Sequence, residues 1–151
     1  MDKHELIETL RSAMRSHKQW VSNALALIEG VPLEKEKVPV NATECAFGRW
    51  YYSEGQKLKK INGIKEIEPL HDALHRTYME IFAILFGEVN EPSFFSKLFG
   101  LSQKIAAEKR EAAMEKYNLL QDQSEMIIKH LEQLERVITA MGETQLAMYL
   151  E

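Results

Sequence analysis

The sequence predicts an all-α fold: a four-helix bundle with a long C-terminal helix or coiled-coil extension. Apolar residues recur at spacings of three and four along most of the chain, which is the period of an amphipathic helix. Only 7 Gly and 4 Pro punctuate the 151 residues. A hydrophobic content of 45% supplies a core, so we expect the chain to fold without a disulfide.

The first helix is predicted over residues 3–28. Its apolar stripe contains His17, an unusual position for a side chain that carries two polar nitrogens. A glycine and two prolines follow among four charged residues, so the segment 31–40 is predicted to be a loop.

The second helix is predicted over residues 45–60 and is the shortest of the four. Asn41 or Thr43 is the expected N-cap, since short polar side chains accept hydrogen bonds from the first helical N–H groups. The Asn-Gly pair at 62–63 predicts the turn that follows.

The third helix is predicted over residues 67–86. Pro69 is tolerated because it falls in the first turn, and Gly87 marks the end. His71 and His75 lie one turn apart on this helix, beside or within its apolar stripe.

A fourth helix is predicted from about residue 97 to residue 151, a stretch without proline after its start. Its apolar positions alternate in steps of four and three, as in a coiled coil. This seam comprises Ala113, Tyr117, Leu120, Ser124, Ile127, Leu131, Leu134, Ile138, Met141, Gln145 and Met148.

Part of this last helix is expected to project from the bundle or to pair with a partner. The chain then divides into a bundle over residues 1–120 and a helical or coiled-coil extension over residues 121–151. The alternative is a kink at Gly100 or at Gln121-Asp122, after which the final helix folds back on the same core.

Charge and hydropathy exclude two classes of partner. The net charge is −4 and no basic face is evident, so the chain offers little of the phosphate neutralisation that drives nucleic-acid binding. The longest apolar run, residues 81–86, is far too short to cross a bilayer. We therefore expect a cytoplasmic protein that binds neither nucleic acid nor membrane.

Cys45 is the only cysteine, so it forms no disulfide within the chain and serves in packing, redox chemistry or metal ligation. Histidines at positions i and i+4, as at 71 and 75, can both reach one ion. With His17 and Cys45 they would form a closed set of three nitrogens and one sulfur, which suits Zn²⁺. The spacing leaves open a simpler alternative of a buried apolar cysteine and a satisfied core histidine.

Three sequence blocks resemble those of the chemoreceptor zinc-binding domain family. They are His17-Lys18-Gln19-Trp20, Cys45-Ala46-Phe47-Gly48-Arg49-Trp50 and His71-Asp72-Ala73-Leu74-His75, in the family's order. The resemblance covers about residues 5–120, and the cysteine block is its most specific part. It implies a four-helix bundle, often dimeric, that binds zinc through His17, Cys45, His71 and His75.

The resemblance also implies a function. Family members act as cytoplasmic sensory modules in chemoreceptors and diguanylate cyclases, where zinc occupancy or oxidation of the cysteine alters the output. This chain has neither a recognisable methyl-accepting hairpin nor a cyclase domain. We therefore expect a stand-alone, homodimeric, non-enzymatic member that acts through its C-terminal helix or a chemotaxis or other signalling partner.

Two alternatives remain at this stage. In the first, zinc only staples the bundle, and the tail serves for dimerisation or docking. In the second the site is catalytic, but four protein ligands leave no open position for water, and Glu44 and Asp72 are better suited to orienting a histidine. Trp20 and Trp50 are expected to wall the site as core aromatics.

Overall fold

The protein is all-α in a computed structural model that describes residues 1–31, 41–87 and 107–151, and no strand occurs within these ranges. The predicted loop over 31–40, apart from Val31, and the predicted start of the last helix near residue 97 lie outside them. The described helices are α1 (Lys3–Ile28), α2 (Ala46–Tyr51), a 3₁₀ helix (Glu54–Leu58), α3 (Ile67–Phe86), α4 (Ala107–Ala140) and α5 (Glu143–Leu150).

The first and third helices have the bounds that the sequence predicts. A capping box starts α1, in which the Asp2 side chain accepts from the Glu5 N–H and the Glu5 carboxylate accepts from the Asp2 N–H. Gly87 ends α3 with a φ of 94°, a conformation that favours glycine. At both helices the apolar periodicity and the residues that bound the helix indicate the same range, and the prediction is confirmed.

The second helix is much shorter than predicted. It ends at Tyr51, and a 3₁₀ helix follows instead of further α-helical turns. The hydroxyl of Ser53 bonds back to the carbonyls of Arg49 and Trp50, and the Gln56 amide donates to the Tyr51 carbonyl. These side chains satisfy carbonyls that further helix would have used, so the predicted span 45–60 is wrong beyond its first turns.

The long helix α4 packs along both α1 and α3. Near one end Lys3 donates to the Thr139 carbonyl at 2.9 Å, and near the other Arg110 donates to the Ile28 carbonyl at 3.1 Å. These two contacts show that α4 runs antiparallel to α1.

Helices α1 and α3 run parallel to each other, because His17 lies against His71 and, further along both helices, Trp20 lies against Tyr78. This arrangement brings the middle of α1 level with the start of α3.

The predicted seam of α4 lies in the core of this chain. Eight of its residues are buried: Ala113, Tyr117, Leu120, Ser124, Ile127, Leu131, Leu134 and Ile138. The helix passes through residue 120 and contacts α1 on both sides of it, so residues 121–140 pack on the bundle and do not project from it. The division into domains at residue 120 stays a prediction.

The seam does not continue to the end of the chain. Gly142 interrupts the helix as the N-cap of α5, and the next buried side chain is Leu146. Gln145 and Met148, the next members of the heptad pattern, are exposed. Helix α5 packs against the 3₁₀ helix, so the break turns the last segment toward the elements that follow Cys45.

None of the described helices combines the length and the apolar character that crossing a membrane requires.

Candidate metal centre

His17 lies on the inner face of α1, where its side chain is only 2% exposed. Its Nδ1 lies 2.6 Å from the carbonyl oxygen of Ala13, one turn earlier on the helix. A carbonyl only accepts, so Nδ1 carries the proton and donates it. This leaves the Nε2 lone pair free to bind a metal.

His71 and His75 occupy the first half of α3 and are also 2% exposed each. Their Nε2 atoms are 3.1 Å apart, as the spacing of one helical turn predicts. The Nε2 atom of His71 is also 3.1 Å from that of His17. The parallel arrangement of α1 and α3 therefore brings three imidazoles together through the same ring nitrogen.

Cys45 is the N-cap of α2, so the prediction of Asn41 or Thr43 as the cap is wrong. Its Sγ accepts a hydrogen bond from the Gly48 N–H at 3.2 Å and lies 3.3 Å from His71 Nε2. A side chain at position 48 would be incompatible with this geometry, because a Cβ there would lie 1.7 Å from the Ala42 carbonyl oxygen. Gly48 therefore lets the backbone before Cys45 fold closely onto α2.

The four candidate ligand atoms all lie within 4.8 Å of one another. Tetrahedral Zn²⁺ with bonds of about 2.0 Å to nitrogen and 2.3 Å to sulfur holds its ligands roughly 3.3 to 3.6 Å apart. The three contacts of His71 Nε2, at 3.1, 3.1 and 3.3 Å, are close to this separation. One proton on that nitrogen satisfies at most one of these neighbours, whereas a cation satisfies them all.

Burial keeps the imidazoles of His17 and His71 neutral. It lowers the pKa of His71 to about 2, with smaller contributions from His17 and His75. It also lowers the pKa of His17 to about 4, against the opposing hydrogen bond to Ala13. Neutral imidazole is the form that binds a metal, so at neutral pH the site is ready for one without losing a proton from these rings.

Burial also raises the pKa of the Cys45 thiol. The N–H groups of Gly48 and Phe47 and the charge of Arg49 act in the opposite direction but do not outweigh it. The N–H groups at the start of α2 thus favour the thiolate, but the net effect of the surroundings is to disfavour it. A bound divalent cation supplies the missing positive charge and deprotonates such a thiol.

Aromatic rings enclose the cluster. The Trp20 ring centroid is 4.6 Å from that of His75 and 4.7 Å from that of Tyr78, and Phe47 meets the edge of His71 at 5.1 Å. Trp50 packs on Phe47 at 5.7 Å, one ring further from the histidines. Trp20 therefore contacts a histidine of the cluster directly, as predicted, whereas Trp50 reaches the cluster only through Phe47.

Two carboxylates that the sequence suggested as orienting groups have other partners. Asp72 forms an ion pair with Arg76, and Glu44 accepts a hydrogen bond from Asn41. The orienting partner of His17 is the backbone carbonyl of Ala13, which no side-chain pattern could reveal.

The protein is a helical domain that contains a largely buried cluster of three histidines and one cysteine. Residues 17–82 match the family model described as the chemoreceptor zinc-binding domain, and the matched segment contains all four cluster residues. By this match the segment is similar to members of that family. No curated protein and no solved structure gave a significant match.

Proposed function

We propose that the protein is a non-enzymatic zinc-binding sensor whose ligands are His17, Cys45, His71 and His75. The observation that carries the proposal is the convergence of these four donor atoms within 4.8 Å, from three separate elements of the fold. Three imidazoles and one thiolate are a donor set that prefers zinc among the common divalent ions.

A sensory role is supported by the position of Cys45. Of the four residues it is the only one that is not fully buried, and it also caps α2. Zinc holds a cysteine as thiolate, the form that oxidants attack. An oxidant such as hypochlorous acid converts a thiolate to a sulfenic acid and is itself reduced to chloride. This conversion removes the anionic sulfur ligand.

The fold offers a route from Cys45 to the C-terminal segment. Helix α2 has only six residues and begins at the Cys45 cap, so it depends on that cap more than a long helix would. The 3₁₀ helix that follows packs against α5. Displacement of α2 would therefore reach α5 through one intervening element.

An enzyme is disfavoured by the same donor set. Catalytic zinc sites keep one coordination position for water, and four protein ligands close the sphere.

The second candidate function is a structural staple. The cluster joins α1, α2 and α3 at one point, and a metal that links three elements stabilises the fold whether or not it also signals. The two functions differ in what happens after Cys45 is oxidised: a sensor changes conformation at α2 and α5, whereas a staple only loses stability.

Metal content by elemental analysis tests the proposal. We expect one zinc per chain in the wild type, less in Cys45→Ala and His71→Ala, and an unchanged amount in His130→Ala, which alters a histidine outside the cluster. Hypochlorite should release or loosen the metal in the wild type. A zinc-free wild type, purified with zinc and without chelators, contradicts the proposal. Zinc retained through oxidation favours the sensing of zinc itself or the staple over the sensing of an oxidant.

The setting of this function is part of the proposal. We place the protein in the cytoplasm as a homodimer that acts in chemotaxis or cyclic-di-GMP signalling. Size measurement by light scattering, with and without zinc, tests the dimer.

A further inference from the structure

An open groove of about 690 Å³ lies between α1 and α2 and reaches the candidate metal centre. His17 and Cys45 are the two cluster residues that line it. The α1 side of the groove is formed in part by three small side chains, those of Thr9, Ser12 and Ser16. Because these positions carry no large side chain, the groove remains open to Cys45 among the described residues.

Exposure distinguishes the four cluster residues. The three histidines are 2% exposed each, whereas Cys45 is partly exposed. An incoming ion, or a chelator that removes one, must first meet a donor that it can touch. Cys45 is the cluster residue with the most exposed surface, and it lines the groove.

The lining of the groove suits a hydrated cation. The hydroxyls of Thr9, Ser12 and Ser16 and the carboxylates of Glu8 and Glu44 provide hard oxygen atoms along it. Such groups can replace water molecules one at a time before the nitrogen and sulfur donors take over. Arg15 and Arg49 also line it, so the charge of the groove is mixed and does not repel a cation uniformly.

A second cavity offers a competing path. It measures about 270 Å³, and His75 and Thr43 are among its lining residues, with the Asp72–Arg76 ion pair beside them. It is smaller than the groove, and the cluster residue that it reaches is almost fully buried.

We propose that the groove between α1 and α2 is the path by which zinc enters and leaves the site, with Cys45 as the first ligand to bind and the first to let go. This inference rests on the proposed function, since it assumes that the four residues bind zinc. It adds a distinct role for Thr9, Ser12 and Ser16, which contribute no ligand.

Obstruction of each path by a tryptophan tests the inference. Ser16→Trp and Ser12→Trp fill the groove at two positions, and Arg76→Trp places the same side chain at the second cavity. For each zinc-loaded protein, the rate of zinc transfer to the chromophoric chelator 4-(2-pyridylazo)resorcinol is followed by stopped flow. The binding rate of the apo protein and the equilibrium Kd for zinc are measured separately.

An obstructed path slows entry and exit by the same factor and leaves Kd unchanged, because it alters only the barrier. We expect about tenfold slower binding and release in Ser16→Trp and Ser12→Trp, which corresponds to roughly 1.4 kcal/mol on the barrier. Arg76→Trp should exchange zinc at the wild-type rate. A substitution that disturbs the ligands themselves would change Kd, and Ser12, one turn from Ser16, is the position further from His17.

Two results overturn the path. One is wild-type exchange rates in both serine variants, and the other is slow exchange in Arg76→Trp alone. In either case the wild type still binds zinc, so the proposed function stands. A wild type that binds no zinc overturns the function and the path together.

Discussion

The Nδ1 atom of His17 lies 2.6 Å from the carbonyl oxygen of Ala13, which belongs to the preceding turn of the same helix. The helix that carries this imidazole therefore also sets its tautomer. Metal-binding histidines commonly need a separate carboxylate or carbonyl for this purpose. Here the orientation of Nε2 toward His71 follows from α1 itself.

Gly48 is required for the fold around Cys45, and serine at this position should be poorly tolerated. A Cβ at residue 48 meets the Ala42 carbonyl oxygen at 1.7 Å, so the backbone must move. We expect Gly48→Ser to lower the free energy of unfolding by about 1 to 3 kcal/mol and to weaken zinc binding.

Gly142→Ser is the matched control, because a Cβ there meets nothing within 4 Å and serine is a good N-cap. Urea unfolding and zinc titration compare the two variants. Equal stability of Gly48→Ser and the wild type would contradict this account of Gly48.

Zinc should stabilise the folded chain through Cys45. A ligand that binds only the native state adds about 2.7 kcal/mol at a hundredfold excess over Kd. We expect zinc to raise the thermal midpoint of the wild type and to raise that of Cys45→Ala much less. His4→Ala, which changes an exposed histidine far from the cluster, should respond as the wild type does. An equal response of Cys45→Ala would remove Cys45 from the site.

Trp20 should report zinc binding, and Trp50 should not. The Trp20 ring contacts His75 at 4.6 Å and lies 6.3 Å from His17, whereas Trp50 contacts Phe47. We expect the fluorescence change on adding zinc to disappear in Trp20→Phe and to persist in Trp50→Phe. The reverse pattern would show that binding acts mainly on the outer side of α2.

Tyr51 anchors the end of α2 and should lose this role at high pH. Its hydroxyl donates to the Ile64 carbonyl at 2.9 Å, and burial raises its pKa from 10.0 to about 12, with smaller contributions from Glu68, Tyr52 and Glu66. Because the folded pKa lies above the unfolded value, the stabilisation is complete below pH 10 and is lost as pH rises toward 12.

We expect Tyr51→Phe to weaken this alkaline loss of stability and to cost about 1 kcal/mol at neutral pH through the missing hydrogen bond. Urea unfolding of Tyr51→Phe and of the wild type at neutral and alkaline pH measures both effects. An identical pH profile for Tyr51→Phe and the wild type would show that Tyr51 titrates normally.

The change of register after Gly142 gives a further test. Leu146 is 1% exposed and packs into the core, whereas Met148 is 73% exposed. We expect Leu146→Ala to cost about 2 to 5 kcal/mol and Met148→Ala almost nothing. A heptad seam that continued without a break would give the opposite ranking, so thermal or urea unfolding of the two variants decides between them.

The sequence predicts the helices best where two kinds of signal coincide. The bounds of α1 and α3 follow from apolar periodicity together with capping and glycine signals. The end of α2 depends on hydrogen bonds from Ser53 and Gln56 to nearby carbonyls, which compete with the helix without disturbing its periodicity. The break at Gly142 is hidden for a related reason, since the heptad pattern passes through it and only tertiary packing selects Leu146.

The identity of the cluster could be predicted because its residue types are rare and their order is specific. Its electrostatics could not, because the raised pKa of Cys45 reflects how deeply the sulfur lies and not its place at a helix start. The groove in front of Cys45 was equally hidden. It results from the small side chains of α1 facing α2, and sequence spacing does not show which faces meet.

The segment that matches the family model and the segment that forms the hydrophobic core are not the same, because α4 lies outside the first and inside the second. All four cluster residues lie within residues 17–82, yet the apolar faces of α1 and α3 are covered by α4, which the structure describes from Ala107 to Ala140. The stretch that matches the family model therefore excludes the helix that covers these two faces. A recombinant fragment cut at its edges would carry every donor atom and lack the surface against which those donors are held.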